Sequence, residues 1–172
     1  MNHLAVLPPR PLRQEDDRSS FDCGRDSMNG WFRRHAFANH AEGLSRVNVL
    51  TEPVSGEIVG YVSLSASHIE RALLPKPQQR NRPDPIPAAL LGQLAIGKPH
   101  QGQGHATALL RFAFKTAAAA SQSIGIFAIL THPIDEAVRE FYTRFGFYDL
   151  PFDPRRAMIV RIDEVRASGF AD

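Results

Sequence analysis

The segment HQGQGHATALL, His100 to Leu110, follows an apolar run and leads into an alanine- and leucine-rich stretch, so its two glycines stand where a strand gives way to a helix. Glycine belongs where backbone must turn with positive φ or come close to something, and a helix N-terminus offers unpaired amides and the positive end of a dipole. The junction is built for an anion.

Upstream, AALLGQLAIG (Ala88 to Gly97) reads as a short apolar strand. Downstream, TALLRFAFKTAAAASQ reads as a helix and IGIFAILTHP as a second buried strand. These three pieces form a β-α-β unit whose strands should be parallel. DEAVREFYTRFGF then reads as a short helix stopped by Gly146, and AMIVRI as a final strand. On the N-terminal side, RVNVLTEPVSGEIVGYVSLSASHI alternates apolar and polar residues about a Pro/Ser/Gly turn and predicts a β-hairpin. SMNGWFRRHAFANHA (Ser27 to Ala41) predicts one amphipathic helix, with Asp26 and Ser27 as caps. The proline-rich LLPKPQQRNRPDPIP predicts an exposed connection with neither helix nor central strand. The expected fold is α/β (α+β), a mixed central sheet with an antiparallel front half flanked by helices, in a single domain spanning 1–172.

Composition narrows the class of function. With 43% hydrophobic and 22% charged residues, the chain has the balance of a soluble globular domain. The first twenty residues lack the apolar stretch of a signal peptide and no run is long enough to span a membrane, which places the protein in the cytoplasm. The lone Cys23 excludes an internal disulfide and a CxxC metal site. His35 with His40, and His100 with His105, are five residues apart and fall on different sides of a helix, so no metal is expected. A net charge of +2 is too small for a polybasic nucleic-acid binder, but the basic residues cluster. Arg80 and Arg82 lie in the proline-rich segment, and Arg33, Arg34 and Arg46 on or just after the first helix. They read either as solvated surface or as two phosphate-contacting patches.

Spacing discriminates among nucleotide loops. An ATPase phosphate loop needs Gly-Lys-Ser/Thr, whereas Gly104 is followed by His105 and Ala106. A dinucleotide fingerprint needs an acidic residue about twenty positions on, and no Asp or Glu occurs between Gly97 and Ile134. The pattern that remains is Gln/Arg-x-x-Gly-x-Gly/Ala, standing here as Gln101, Gly104 and Ala106. It resembles the acetyl-CoA loop of the GNAT superfamily of N-acetyltransferases. EFYTRFGF (Glu140 to Phe147) is similar to the helix-turn-strand in which that superfamily places an aromatic pair followed by Gly-Phe. FDCGRDSMNGWFRRHA, LSRVNVL, RNRPDPIPAALLGQLAI, THPIDEAVREFYTRFGF and DPRRAMIVRI narrow the resemblance to the GNAT toxins of bacterial toxin-antitoxin modules, from about Phe21 to Ile162.

That resemblance implies a fold, a cofactor and a reaction. Acetyl-CoA would be held by the amides of Gln101, Gly102, Gln103, Gly104, His105, Ala106 and Thr107. Leu94, Ala95 or Ile96 would supply a backbone N–H to the oxyanion, and Tyr142 would protonate the departing thiolate. His105 stands where the family usually has an aliphatic residue, and Gly97-Lys98-Pro99 replaces a more usual acidic or polar turn. The implied acceptor is the α-amine of an aminoacyl-tRNA, whose modification blocks translation, with Arg33, Arg34, Arg46, Arg80 and Arg82 contacting the tRNA. Implied partners are a ribbon-helix-helix antitoxin, operator DNA reached only through the antitoxin complex, and a second copy in a homodimer. A phenol with a pKa near about 10 can protonate a thiolate whose thiol lies near about 8.5. An α-amine, at about 7.7 to 8.0, needs less help than a lysine amine at about 10.4. No base stands out: Asp135, Glu136 and Glu140 read as helix-start and surface acids, and His132 reads equally as a base or as a hydrogen-bonded structural histidine. Two other readings stay open, acetylation of a protein N-terminus or small amine, and a non-catalytic CoA-binding or antitoxin-bound regulator.

Overall fold

The computed structural model describes residues 6–172. Two-residue β1 (Arg10–Pro11) precedes helices α1 (Asp26–Arg34) and α2 (Ala36–Glu42). Strands β2 (Arg46–Thr51) and β3 (Ile58–Ile69) follow, then short α3 (Lys76–Gln79), β4 (Ile86–Ile96) and α4 (His105–Ala120). The chain closes with β5 (Ala128–Thr131), α5 (Glu136–Arg144), β6 (Tyr148–Asp149), β7 (Met158–Arg161) and α6 (Ile162–Ser168). One mixed sheet has the order β1-β2-β3-β4-β5-β7-β6. β4 and β5 are parallel, as a crossover through α4 requires, while β1–β2, β2–β3, β5–β7 and β6–β7 are antiparallel. The expected α/β architecture with its hairpin front is what the chain adopts.

Four local expectations are corrected. Neither Asp26 nor Ser27 caps the first helix, because the helix already begins at Asp26 and Arg25 stands at the N-cap with no side-chain cap bond. The first helix is broken at His35, whose φ of −122° leaves the helical region. In a continuous helix Phe37 would lie about 140° round from Phe32; after the break, buried Ala36 and half-buried Phe37 both pack on the same core as Phe32. The proline-rich segment does contain a helical turn, α3, because Pro77 falls in its first turn, where a missing N–H costs nothing, and the segment's last residues, Ile86 and Pro87, already open the central strand β4. The second buried strand is shorter than its apolar stretch, covering only Ala128–Thr131.

The backbone forms two compact units, one comprising the chain up to Ser65 together with Gly92–Ala113, the other Ala66–Leu91 together with Phe114–Asp172. The first is centred on Tyr61, which stacks on Phe32 at 4.1 Å and meets Phe21 edge-on at 5.5 Å. Its buried hydroxyl donates to one of two acceptors in reach, the Met28 carbonyl and Gln93 Oε1, each at 3.0 Å. Leu12, Val47, Val49, Ile58 and Ala95 complete this core. The second unit packs Ile69, Leu74, Ile86, Leu130, Leu150 and Ile159 together, and sets a separate aromatic group of Phe114, Phe147 and Phe170 against α5. No helix among the described residues is long and apolar enough to cross a membrane.

Candidate active site

In the first unit, the chain leaves β4 through a 3-10 turn, Lys98–His100, before α4 begins at His105. Gly102 and Gly104 have φ of +75° and +85°, the left-handed region that L side chains avoid. Nothing lies within 4 Å of where a Cβ would stand on either, so the protein leaves this side of the loop open. Successive amides in such a turn, running into a helix N-terminus, form a concave anion site. The open, positive-φ turn running into a helix N-terminus therefore has the shape and the donor type that a pyrophosphate needs.

The loop is tethered from beneath. Gln101 Nε2 donates to the carbonyls of Ile96 at 2.9 Å and Cys23 at 3.0 Å. Lys98 N donates to the Asp22 carbonyl at 2.8 Å, and Lys98 Nζ lies 3.4 Å from the Asp22 carboxylate. That carboxylate also accepts from Gly24 N and Asn29 Nδ2, while Asn29 Oδ1 accepts from Cys23 N at 2.9 Å. These bonds hold the Asp22 carboxyl below the usual carboxylate range, the Gly24 amide being the largest cause. The Gln101 side chain thus secures the loop, leaving its backbone to face outward. His105 is buried, with its ring 6.5 Å from that of buried His100. Ala95 and Ile96 are buried and Leu94 half-buried at the end of β4. A side chain at Gly60 would come within 2.6 Å of the Ile96 side chain and 2.8 Å of the Ala95 carbonyl, so Gly60 allows these residues to pack where they do.

Tyr142 belongs to the second unit, in the last turn of α5. Asp135 caps this helix by accepting from Val138 N at 2.9 Å. Its far end closes as a Schellman motif: Gly146 has a φ of +95°, Phe147 N donates to the Tyr142 carbonyl, and the Phe147 and Tyr142 rings meet at 5.0 Å. The Phe-Gly-Phe signature is therefore also the device that fixes the tyrosine. Tyr142 is 4% exposed, and burial pushes its phenol up to about 12, against a smaller lowering by its hydrogen bond with Thr131. Thr131 Oγ1 in turn donates to the Leu91 carbonyl at 3.1 Å, at the last rung of the β4–β5 ladder. A buried phenol held protonated at the end of a strand pair is suited to give a proton to an anion with a lower proton affinity.

The five arginines are divided between the units. Arg33 on α1 donates to the Phe21 carbonyl, and Arg46 on β2 to the His40 carbonyl at 3.0 Å. Arg82 donates to the Gln78 carbonyl and lies 4.4 Å above the Phe127 ring. Arg34 and Arg80 are exposed, and their side chains make no hydrogen bond or ion pair among the described residues. The sequence reading missed Asp22, Asn29 and Thr131. The Asp-Cys-Gly run carries the signal of an Asx turn, which could have found the first; Thr131 gave none. Among the described residues, no group of three or more metal-ligating side chains could hold an ion.

Residues 44–149 match the acetyltransferase (GNAT) domain family. A tRNA-acetylating toxin of Mycobacterium tuberculosis is 37% identical over 155 residues, 90% of this chain and 92% of that protein. AtaT complexed with acetyl-methionyl-tRNAfMet superposes with a TM-score of 0.87 at 28% identity, covering 95% of this chain and 99% of that one. A tyrosine-to-phenylalanine mutant of the AtaT toxin, bound to the C-terminus of the antitoxin AtaR and acetyl-CoA, gives a TM-score of 0.81 at 25% identity, with 95% and 97% covered. With the family match spanning well over half of its length, this chain belongs to the GNAT acetyltransferases.

Proposed function

We propose that this protein transfers an acetyl group from acetyl-CoA to the α-amino group of an aminoacyl-tRNA and thereby blocks translation as the toxin of a toxin-antitoxin pair. The observation that carries the reading is the 37% identity, over 90% of the chain, to a tRNA-acetylating toxin. The positive-φ loop and the buried, protonated phenol supply two of the groups such chemistry needs. Bound acetyl-CoA supplies the activated acetyl group as a thioester. In this reading 1–172 work as one acetyltransferase domain, the amides of Gly102 to Thr107 bind the coenzyme's pyrophosphate, and Gln101, whose own N–H is bonded to the Lys98 carbonyl, holds the loop for them. An N–H from Leu94, Ala95 or Ile96 polarises the acetyl oxygen. Tyr142 donates its proton to the coenzyme's sulfur. The guanidinium groups of Arg34, which lies over Gly30, and of Arg80 make no hydrogen bond among the described residues and are offered to tRNA phosphates, while Arg33, Arg46 and Arg82 add donors not already committed to the protein. The partners are a ribbon-helix-helix antitoxin, operator DNA through the antitoxin complex, and a second copy as a homodimer, all in the cytoplasm.

The test is to incubate the protein with acetyl-CoA and a pool of charged tRNAs, digest the RNA, and look for N-acetylaminoacyl-adenosine by mass spectrometry. A product that vanishes in Tyr142→Phe supports the reading and names the amino acid. Acetyl-CoA binding without any tRNA product, but with turnover on small amines or peptide N-termini, refutes the substrate assignment.

A further inference from the structure

Leu130, near the end of β5, and His132, the first residue beyond it, line a cavity of about 270 Å³ within the second unit. Ile69, Leu150 and Ala157 complete its apolar floor, and His68, Glu70 and Arg155 stand at its rim with His132. Thr131, between Leu130 and His132, does not line the cavity; its hydroxyl is bonded to the Leu91 carbonyl and to Tyr142. Thr131, which holds the Tyr142 phenol, and His132, which stands at the cavity mouth, are consecutive residues where β5 ends. The charged neighbours of that imidazole are distinguishable. The Asp153 carboxylate is turned to the backbone, accepting from Arg155 N and Ala157 N at 3.0 Å each. Glu70 and His68 come from the end of β3, and Arg155 from the turn before β7. Neither His132 nor His68 makes a hydrogen bond among the described residues, and both are exposed at the mouth.

We propose that this cavity receives the acceptor amine and that the His132 imidazole is the base that takes its proton. The inference rests on the acetyl-transfer reading above and adds to it the base that the sequence left open. Although His132 is open to solvent on one side, its partial burial in the cavity wall, and secondarily Arg155, hold the imidazolium below the ordinary imidazole range, outweighing Asp153. The ring is therefore neutral, with an acceptor nitrogen free, at neutral pH. The amine enters as an ammonium, and His132 takes one proton, which frees the nitrogen lone pair. The bond from nitrogen to the acetyl carbon forms and the carbon–sulfur bond breaks. Sulfur takes the Tyr142 proton, the second nitrogen proton restores the phenol, and His132 releases its own to solvent. One ammonium and one thioester give one amide, one thiol and one proton.

Acetylation of charged tRNA by the wild-type protein, His132→Gln and His68→Gln, followed between about pH 5.5 and 8.5, tests this. Wild-type kcat/KM should fall in acid through a midpoint below about 6.5. His132→Gln should lose on the order of 10²-fold near neutral pH, with an unchanged KM for acetyl-CoA, and should follow the titration of the amine instead. Added imidazole should restore part of the rate, and His68→Gln, at the rim of the same cavity, should keep the wild-type acid limb whatever it does to the KM for charged tRNA. A His132→Gln protein with wild-type rate and pH profile, or a loss equal at every pH and not relieved by imidazole, overturns the proposal; transfer of the acid limb to His68→Gln does so too. If the wild-type protein acetylates no charged tRNA while binding acetyl-CoA, the substrate reading has failed first, and the two failures are distinguished.

Discussion

Replacing Gln101 by alanine removes the two hydrogen bonds that tie the glycine loop to the rest of its unit, at 2.9 Å to the Ile96 carbonyl and 3.0 Å to the Cys23 carbonyl. Each such bond contributes about 0.5–1.5 kcal/mol net, so the pair is worth roughly 1–3 kcal/mol of folding stability. The Gln101 residue is exposed, so water can reach its former partners and the lower half of that range applies. For a chain of this size that corresponds to a fall in Tm of about 3–6 °C. The larger consequence falls on binding. A loop no longer held with Gly102 and Gly104 in the left-handed region must be ordered by the ligand, and about 1.4 kcal/mol of lost preorganisation weakens acetyl-CoA binding tenfold. Asn29→Ala attacks the same tether from its other end, because Asn29 holds both Cys23 N and the Asp22 carboxylate. The two substitutions should therefore be less than additive in binding. Calorimetric titration with acetyl-CoA, beside thermal unfolding of each variant, separates the effects. A Gln101→Ala protein that loses the expected stability yet binds acetyl-CoA with wild-type affinity would refute the argument that the tether shapes the loop.

Tyr142→Phe keeps the ring contacts with Phe141 and Phe147, and Thr131 still has the Leu91 carbonyl, so unfolding free energy should change by about 1 kcal/mol or less while kcat falls by about 10²–10⁴-fold. Because burial raises the phenol to about 12, the wild-type rate should show no alkaline loss from this group until well above about pH 10; a fall near neutral pH tracing to Tyr142 would contradict its environment. The Asp16 carboxyl is held below the ordinary range first by its hydrogen bonds from Arg10, at 2.8 and 2.9 Å. Its contribution is present above the unfolded value of about 3.9 and lost as pH falls through the lower folded one, so the Tm gap between wild type and Arg10→Ala should close in that acid window. Arg80→Gln should weaken charged-tRNA binding and reduce the salt slope of log K by about 0.7–0.9, whereas an unchanged slope would remove Arg80 from the phosphate contacts.

The parts of the fold visible in the sequence are those in which one local signal and one connection length suffice. Alternation identifies β2 and β3, and an apolar strand joined through a glycine turn to a sixteen-residue helix makes β4 and β5 parallel neighbours. The break at His35 is hidden because Met28, Trp31 and Phe32 fit one helical face, and only the demand that Ala36 and Phe37 share that core interrupts it. β1 and β6, two residues each, are too short to carry a period. α6 follows β7 without a connecting turn, so the sequence shows its start only as the end of a strand.

The same distinction explains the site. The glycine loop and the Phe-Gly-Phe turn are legible because glycine at positive φ is a local necessity, and both places prove to have one. What holds them is not local. Gln101 reaches a carbonyl 78 residues away, and Thr131 one 40 residues away. Neither residue carries a pattern at its own position that specifies such a partner, since glutamine in a loop and threonine in a strand are ordinary surface and sheet choices. The groups that could meet a ligand are thus written in the sequence, while the groups that orient them emerge only when the sheet closes. For that reason the Phe-Asp-Cys-Gly run, in the sequence only a mark of resemblance, has a physical role in the fold, since Asp22 and Cys23 present the carbonyls on which the loop rests. Substitutions in this run should therefore act on acetyl-CoA affinity before they act on the rate of acetyl transfer.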